Sequence, residues 1–110
     1  EFSASHSNKS FKWRIGPLES ALNIIEFCIM KDINIQTVST QVNRLVEYYY
    51  FSHIYGKHSI PELKYIRLLL IQIAKQCPLI RKSLKFYAIK LSPLIGIYLI
   101  KLYNKLYFNK

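Results

Sequence analysis

The sequence predicts an all-α protein, a bundle of four to five helices that closes with a basic, aromatic-rich amphipathic helix. Three observations carry this prediction. Apolar residues recur at three- and four-residue intervals in five successive segments. Only three Gly and four Pro occur in 110 residues, too few for the many tight turns of an all-β chain. Finally, Ser59-Ile60-Pro61-Glu62 has the form of a capping box, the most specific local start signal in the chain.

The elements follow in order. Residues 1–14 read as a polar lead-in, opened by the Ser-rich stretch EFSASHSNKS. In GPLESALNIIEFCIMKD, Pro17 suits a first helical turn, and Leu18, Leu22, Ile25 and Ile29 form an apolar stripe. In NIQTVSTQVNRLVEYYYFSHIYG, Asn34 is the expected cap, Ile35, Val38, Val42, Leu45 and Tyr49 the stripe, and Gly56 the stop. The third helix starts at the capping box and lines up Leu63, Ile66, Leu70, Ile73 and Cys77 until Pro78 breaks the pattern. Residues 15–78 thus form the expected bundle, and 79–110 a basic, apolar C-terminal pair of helices. In the first of that pair, LIRKSLKFYAIKL, Leu79, Leu84, Tyr87 and Leu91 share one side, and Arg81, Lys82 and Lys85 another. The second runs on from Pro93. Cys28 and Cys77 lie within apolar patterns and read as buried thiols, with a single disulfide as the alternative.

Charge is distributed unevenly. The net charge is +10, yet residues 1–63 balance six basic against six acidic groups. All ten Lys and Arg beyond Leu63 stand without a carboxylate. Codon bias accounts for abundant lysine but not for missing Asp and Glu. Such a surplus suits an anionic partner. The uncharged run from Leu91 to Ile100 is about half the length of a membrane span, and Pro93 and Gly96 are expected to interrupt it. An interfacial helix fits better. Arg81, Lys82, Lys85, Lys90, Lys101 and Lys105 are the expected contacts with anionic headgroups. Tyr98, Tyr103, Tyr107 and Phe108 are the expected residents of the headgroup boundary. The same apolarity also suits the last helix of a bundle core, and the concentration of basic residues tips the balance toward a peripheral position on a membrane surface.

Catalytic chemistry is absent from the pattern. Asp32 is the single aspartate, so no paired-Asp metal site forms within the chain. His6, His53 and His58 lack carboxylates or cysteines at ligand spacing, and no phosphate-binding glycine loop or nucleophile elbow occurs. No catalytic residue, metal or cofactor is expected. NIQTVSTQVNRLVEYY has the look of a recognition helix, with Thr37, Ser39, Thr40, Gln41, Asn43 and Arg44 able to reach DNA. The zero charge of this half and the missing helix-turn pattern before it make nucleic acid a disfavoured partner. Nothing in the sequence specifies an oligomeric state.

The segment KFYAIKLSPLIGIYLIKLYNKLYFNK, and more loosely LESALNIIEFCIMKDINIQTVSTQVNRLVEYYYF, resembles the C-terminal helical tail of bacterial family-2 (GT-A type) glycosyltransferases, which build capsular and other surface polysaccharides. The match is compositional. The family's D-x-D motif and catalytic carboxylate are absent from all 110 residues, so the resemblance implies that they lie upstream of Glu1 and carries no catalytic role onto any residue here. The start at Glu1, without a methionine, fits a piece of such a protein. The resemblance implies a non-catalytic region that holds an upstream catalytic domain at the cytoplasmic face of the membrane. In length, basic character and helical form the chain is also similar to bacteriocin immunity proteins, small helical binders. A continuous upstream frame encoding a GT-A domain would distinguish the first from the second.

Overall fold

Ser10 caps the first turn of a helix: its Oγ accepts the Trp13 amide at 3.2 Å. A computed structural model of the chain describes residues 10–55 and 57–108, with the Phe108 side chain outside that description. Residues 1–9 of the expected lead-in therefore lie outside the described residues, but Phe11–Arg14, read as part of it, form a helical turn, α1. Arg14 is drawn inward, only 6% exposed, and its Nη2 donates to the Lys57 carbonyl at 2.9 Å.

The chain is all-α, and no strand occurs among the described residues. Helix α2 (Gly16–Met30) carries Pro17 in its first turn. Its buried face is Leu18, Ala21, Ile25 and Cys28, rotated from the expected stripe, so that Leu22 is half-buried and Ile29 is 56% exposed. The helices at Ser39–Tyr48 and Ile60–Gln76 pack on α2.

The second segment is three pieces rather than one helix. Asn34 Oδ1 accepts the Gln36 amide at 3.0 Å and opens a 3₁₀ turn, Ile35–Val38. Helix α3 (Ser39–Tyr48) follows, then a π-helical turn, Tyr49–His53. The wider turn admits an extra residue per revolution, so adjacent Tyr49 and Tyr50 both face the core while Tyr48 and Phe51 stay outside. The expected stop at Gly56 lies outside the described residues.

Helix α4 (Ile60–Gln76) begins as the sequence predicts. The Ser59 amide donates to Glu62 Oε1 at 2.8 Å, and the Glu62 amide returns to Ser59 Oγ at 3.3 Å. Leu63, Ile66, Leu70, Ile73 and Cys77 are buried, as expected, joined by Leu69 and Ala74. Cys28 and Cys77 are free, buried thiols.

The greatest departure comes next. The expected helix 79–91 is broken at Lys82–Ser83 into α5 (Pro78–Arg81) and α6 (Leu84–Leu91). Extended Ser83 resets the helical phase, and the side that turns inward is Ile80, Phe86 and Ile89. Leu79, Leu84, Tyr87 and Leu91 face out, Leu84 at 84% exposed. Pro93 and Gly96 do not interrupt the last element: α7 (Pro93–Phe108) starts on Pro93 and runs through Gly96 without a break. Helix α4 packs against α2, α6 and α7, and the core gathers around it. No helix among the described residues is long and apolar enough to cross a membrane.

Candidate functional site

Helix α7 has two unlike sides. Gly96, Ile97, Ile100 and Asn104 face the bundle. Leu94, Ile95, Tyr98, Leu99, Leu102, Leu106 and Tyr107 recur at helical spacing along the opposite side and are exposed. Leu84 and Leu91 of α6 add to this uncovered apolar surface. Contiguous exposed apolar stripes of this length are uncommon on a small domain.

The basic residues expected at this surface fall into two groups. Lys82, Lys90 and Lys105 are exposed. The rest are engaged within the fold. Arg81 donates through Nη1 to the carbonyls of Ala74 (2.8 Å) and Lys75 (3.2 Å), satisfying the last turn of α4. Lys101 is half-buried, and burial first, then the charge of Arg14, lowers the pKa of its ammonium. Lys85 pairs with Glu47 Oε1 at 3.4 Å and stands over three rings, with its Nζ 4.8 Å from the centroid of Phe51, 5.3 Å from Tyr103 and 5.5 Å from Tyr50. Of the expected aromatics, Tyr98, Tyr103 and Tyr107 are exposed, Tyr103 with Lys85 over its ring and the Tyr107 ring 4.5 Å away, and the Phe108 side chain is outside the described residues.

A groove of about 420 Å³ opens between α6 and α7. Leu84, Ala88, Leu99 and Ile100 form its apolar lining, and Glu47, Lys85 and Tyr103 its polar and aromatic lining. Glu47 and Lys85 stand 38 positions apart in the sequence, with no local signal to unite them. Four consecutive aromatics at Tyr48–Phe51 point all round a helix, so the sequence shows only that some of them must meet another surface.

A second polar group sits where α1, the π turn and α7 converge. Asn104, 3% exposed, donates through Nδ2 to the Tyr50 carbonyl (3.0 Å) and the Tyr55 hydroxyl oxygen (3.2 Å). His53 stacks on Trp13 with ring centroids 4.6 Å apart and meets Tyr48 at the same distance. The His58 pKa is pushed down to about 4, chiefly by burial, with Arg14 and Lys101 adding repulsion and Glu62 opposing them. Burial also raises the Tyr49 and Tyr50 hydroxyls well above the usual phenol range. Cations gather here without a nucleophile–base pair. Among the described residues, no three His, Cys, Asp or Glu side chains are grouped to hold a metal.

Comparison with protein-family models, curated proteins and solved structures finds no match to this chain.

Proposed function

We propose that the chain is a non-catalytic helical module that docks on an anionic membrane surface through the open side of α7. In this reading it is the membrane-proximal helical part of a glycosyltransferase for surface polysaccharide, peripheral on the cytoplasmic face. The observation that carries the docking is the apolar stripe from Leu94 to Tyr107, which the chain's own helices leave uncovered. Burying one such leucine is worth about 1.5–3 kcal/mol, so two or three inserted side chains suffice for reversible attachment. Exposed Lys82, Lys90 and Lys105 supply charge of the right sign, and no carboxylate beyond Leu63 opposes them. The helix is too short and too charged to cross, so insertion stops at the interface. The transferase context rests on the resemblance of the tail alone.

Vesicle co-sedimentation tests the docking. The wild type pellets with vesicles containing anionic lipid and less with zwitterionic ones, and Leu102→Glu together with Leu106→Glu abolishes pelleting. Wild-type protein that remains in the supernatant with both lipids overturns the proposal. So does a dimer that the same substitutions dissolve without any vesicle binding, since the stripe would then be an interface between copies. Sugar transfer by the isolated 110 residues would refute the non-catalytic role.

A further inference from the structure

The surroundings of Lys85 resemble a ligand site more than a surface ion pair. Three aromatic rings lie within 5.5 Å of its Nζ, and the Glu47 carboxylate lies 3.4 Å away. The rings come from separate parts of the fold, Tyr50 and Phe51 from the π turn and Tyr103 from α7. An exposed lysine does not need such an enclosure, because an isolated pair with Glu47 would form without the rings. The faces of several rings around one positive charge, with a carboxylate beside them, make the environment that attracts organic cations.

Lysine is a poor match to it. Its ammonium is compact, strongly hydrated and carries three N–H donors. Ring faces are weak acceptors, and Glu47 is the one carboxylate paired with it among the described residues. A quaternary ammonium has no N–H to satisfy and sheds water readily, so the same rings suit it better. The side chain of Lys85 is 20% exposed, so its long flexible stem already reaches solvent. Tyr50, whose ring it covers, is otherwise buried.

The groove adds a second requirement. Glu47, Lys85 and Tyr103 line it together with the apolar Leu84, Ala88, Leu99 and Ile100. A ligand with its cation among the rings therefore projects its remainder along an apolar channel. We propose that Glu47, Tyr50, Phe51 and Tyr103 form a cage for a quaternary ammonium group joined to a short alkyl chain, which Lys85 occupies from within in the free protein. Charge complementarity selects the head and the groove selects the chain. The inference holds whether or not α7 lies on a membrane.

A tethered lysine competes at high effective concentration, so the wild type binds such a ligand weakly, and removing the lysine unmasks the site. The test is calorimetric titration with hexyltrimethylammonium, tetramethylammonium and hexanoate on the wild type, Lys85→Ala, and Lys85→Ala with Tyr103→Ala. Lys85→Ala is expected to bind hexyltrimethylammonium about tenfold more tightly than the wild type. Tetramethylammonium binds less well, hexanoate does not bind, and adding Tyr103→Ala removes the gain. Equal affinity of wild type and Lys85→Ala overturns the proposal, as does binding of hexanoate as strong as that of the cation. If Lys85→Ala fails to fold, the wild type decides by nuclear magnetic resonance. The Lys85 ε-methylene protons, shielded by the rings in the free protein, move to exposed-lysine positions as hexyltrimethylammonium is added. No movement with that cation overturns the proposal.

Discussion

Gly96 of α7 lies against the backbone of Ile89 in α6: a Cβ at Gly96 would stand 2.6 Å from the Ile89 nitrogen and 2.7 Å from its Cα. Neither atom can rotate away, as a side-chain tip could. The two helices cross at this point because one residue there lacks a side chain. Gly96→Ala is expected to destabilise the fold by about 3 kcal/mol, the upper end of overpacking costs. At about 4–8 °C per kcal/mol for a domain near this size, thermal unfolding followed by circular dichroism reads the loss directly. An unchanged melting temperature would show that α6 and α7 do not meet so closely.

The lysines should divide by where they are held. Lys82, Lys90 and Lys105 are exposed, whereas Lys85 is paired with Glu47 and Lys101 is half-buried beside the charge of Arg14. Each exposed lysine near an anionic surface contributes about 1 kcal/mol. Changing all three to Gln should weaken anionic-vesicle binding roughly 100-fold. Lys85→Gln alone should change it by less than about twofold. High salt should release part of the wild-type protein, because it screens charge but not apolar insertion. A larger loss from Lys85→Gln than from the triple change would reverse this assignment.

Asn104 ties α7 to the π turn through the Tyr50 carbonyl and the Tyr55 hydroxyl. Asn104→Ala leaves that buried carbonyl without its donor, at a cost of about 1–3 kcal/mol. Asn104 Oδ1 has no partner among the described residues, which keeps the expected cost nearer the lower bound. Urea unfolding gives the value, and a stabilised variant would mean that the unpaired oxygen outweighs both bonds.

Stability should fall as the solution is acidified from pH 6.5 to 4. His58 has a pKa of about 4 in the folded chain, below its ordinary 6.5, so the unfolded chain takes up its proton first. Below pH 4 both states are protonated and this contribution falls no further. The shift is worth about 1.36 kcal/mol per unit, and solvent around the half-buried ring reduces the total to about 1–2 kcal/mol. Comparing urea midpoints at pH 7 and 4.5 for the wild type and His58→Gln isolates the effect from carboxylate titration. Equal pH sensitivity in both proteins would contradict it.

What the sequence made legible was local. The box at Ser59–Glu62 is read from four neighbouring residues, and the buried face of α4 follows from an unbroken 3.6-residue period after it. Where the period breaks, the reading fails. The apolar side expected of 79–91 stays outside and Ile80, Phe86 and Ile89 turn inward, because Ser83 is extended, which no propensity in LIRKSLKFYAIKL demands. Tyr50 gained burial through the extra residue of a π turn, and Arg14 went inside because a loop carbonyl 43 residues away accepts its bond. The Lys85 cage needs four residues from three elements, so it exists only once the chain has folded. The apolarity of α7 was plain in the sequence, but which half of it the bundle leaves uncovered was not.

The stacking of Trp13 on His53 makes the chain its own optical gauge. Trp13 is the single tryptophan, so all indole emission comes from the joint between α1 and the π turn. Lifting α1 strips the imidazole from the indole face and shifts that emission to the red, while the helical signal of α2, α4 and α7 stays. Detachment of the first turn can therefore be timed separately from global melting, without a label.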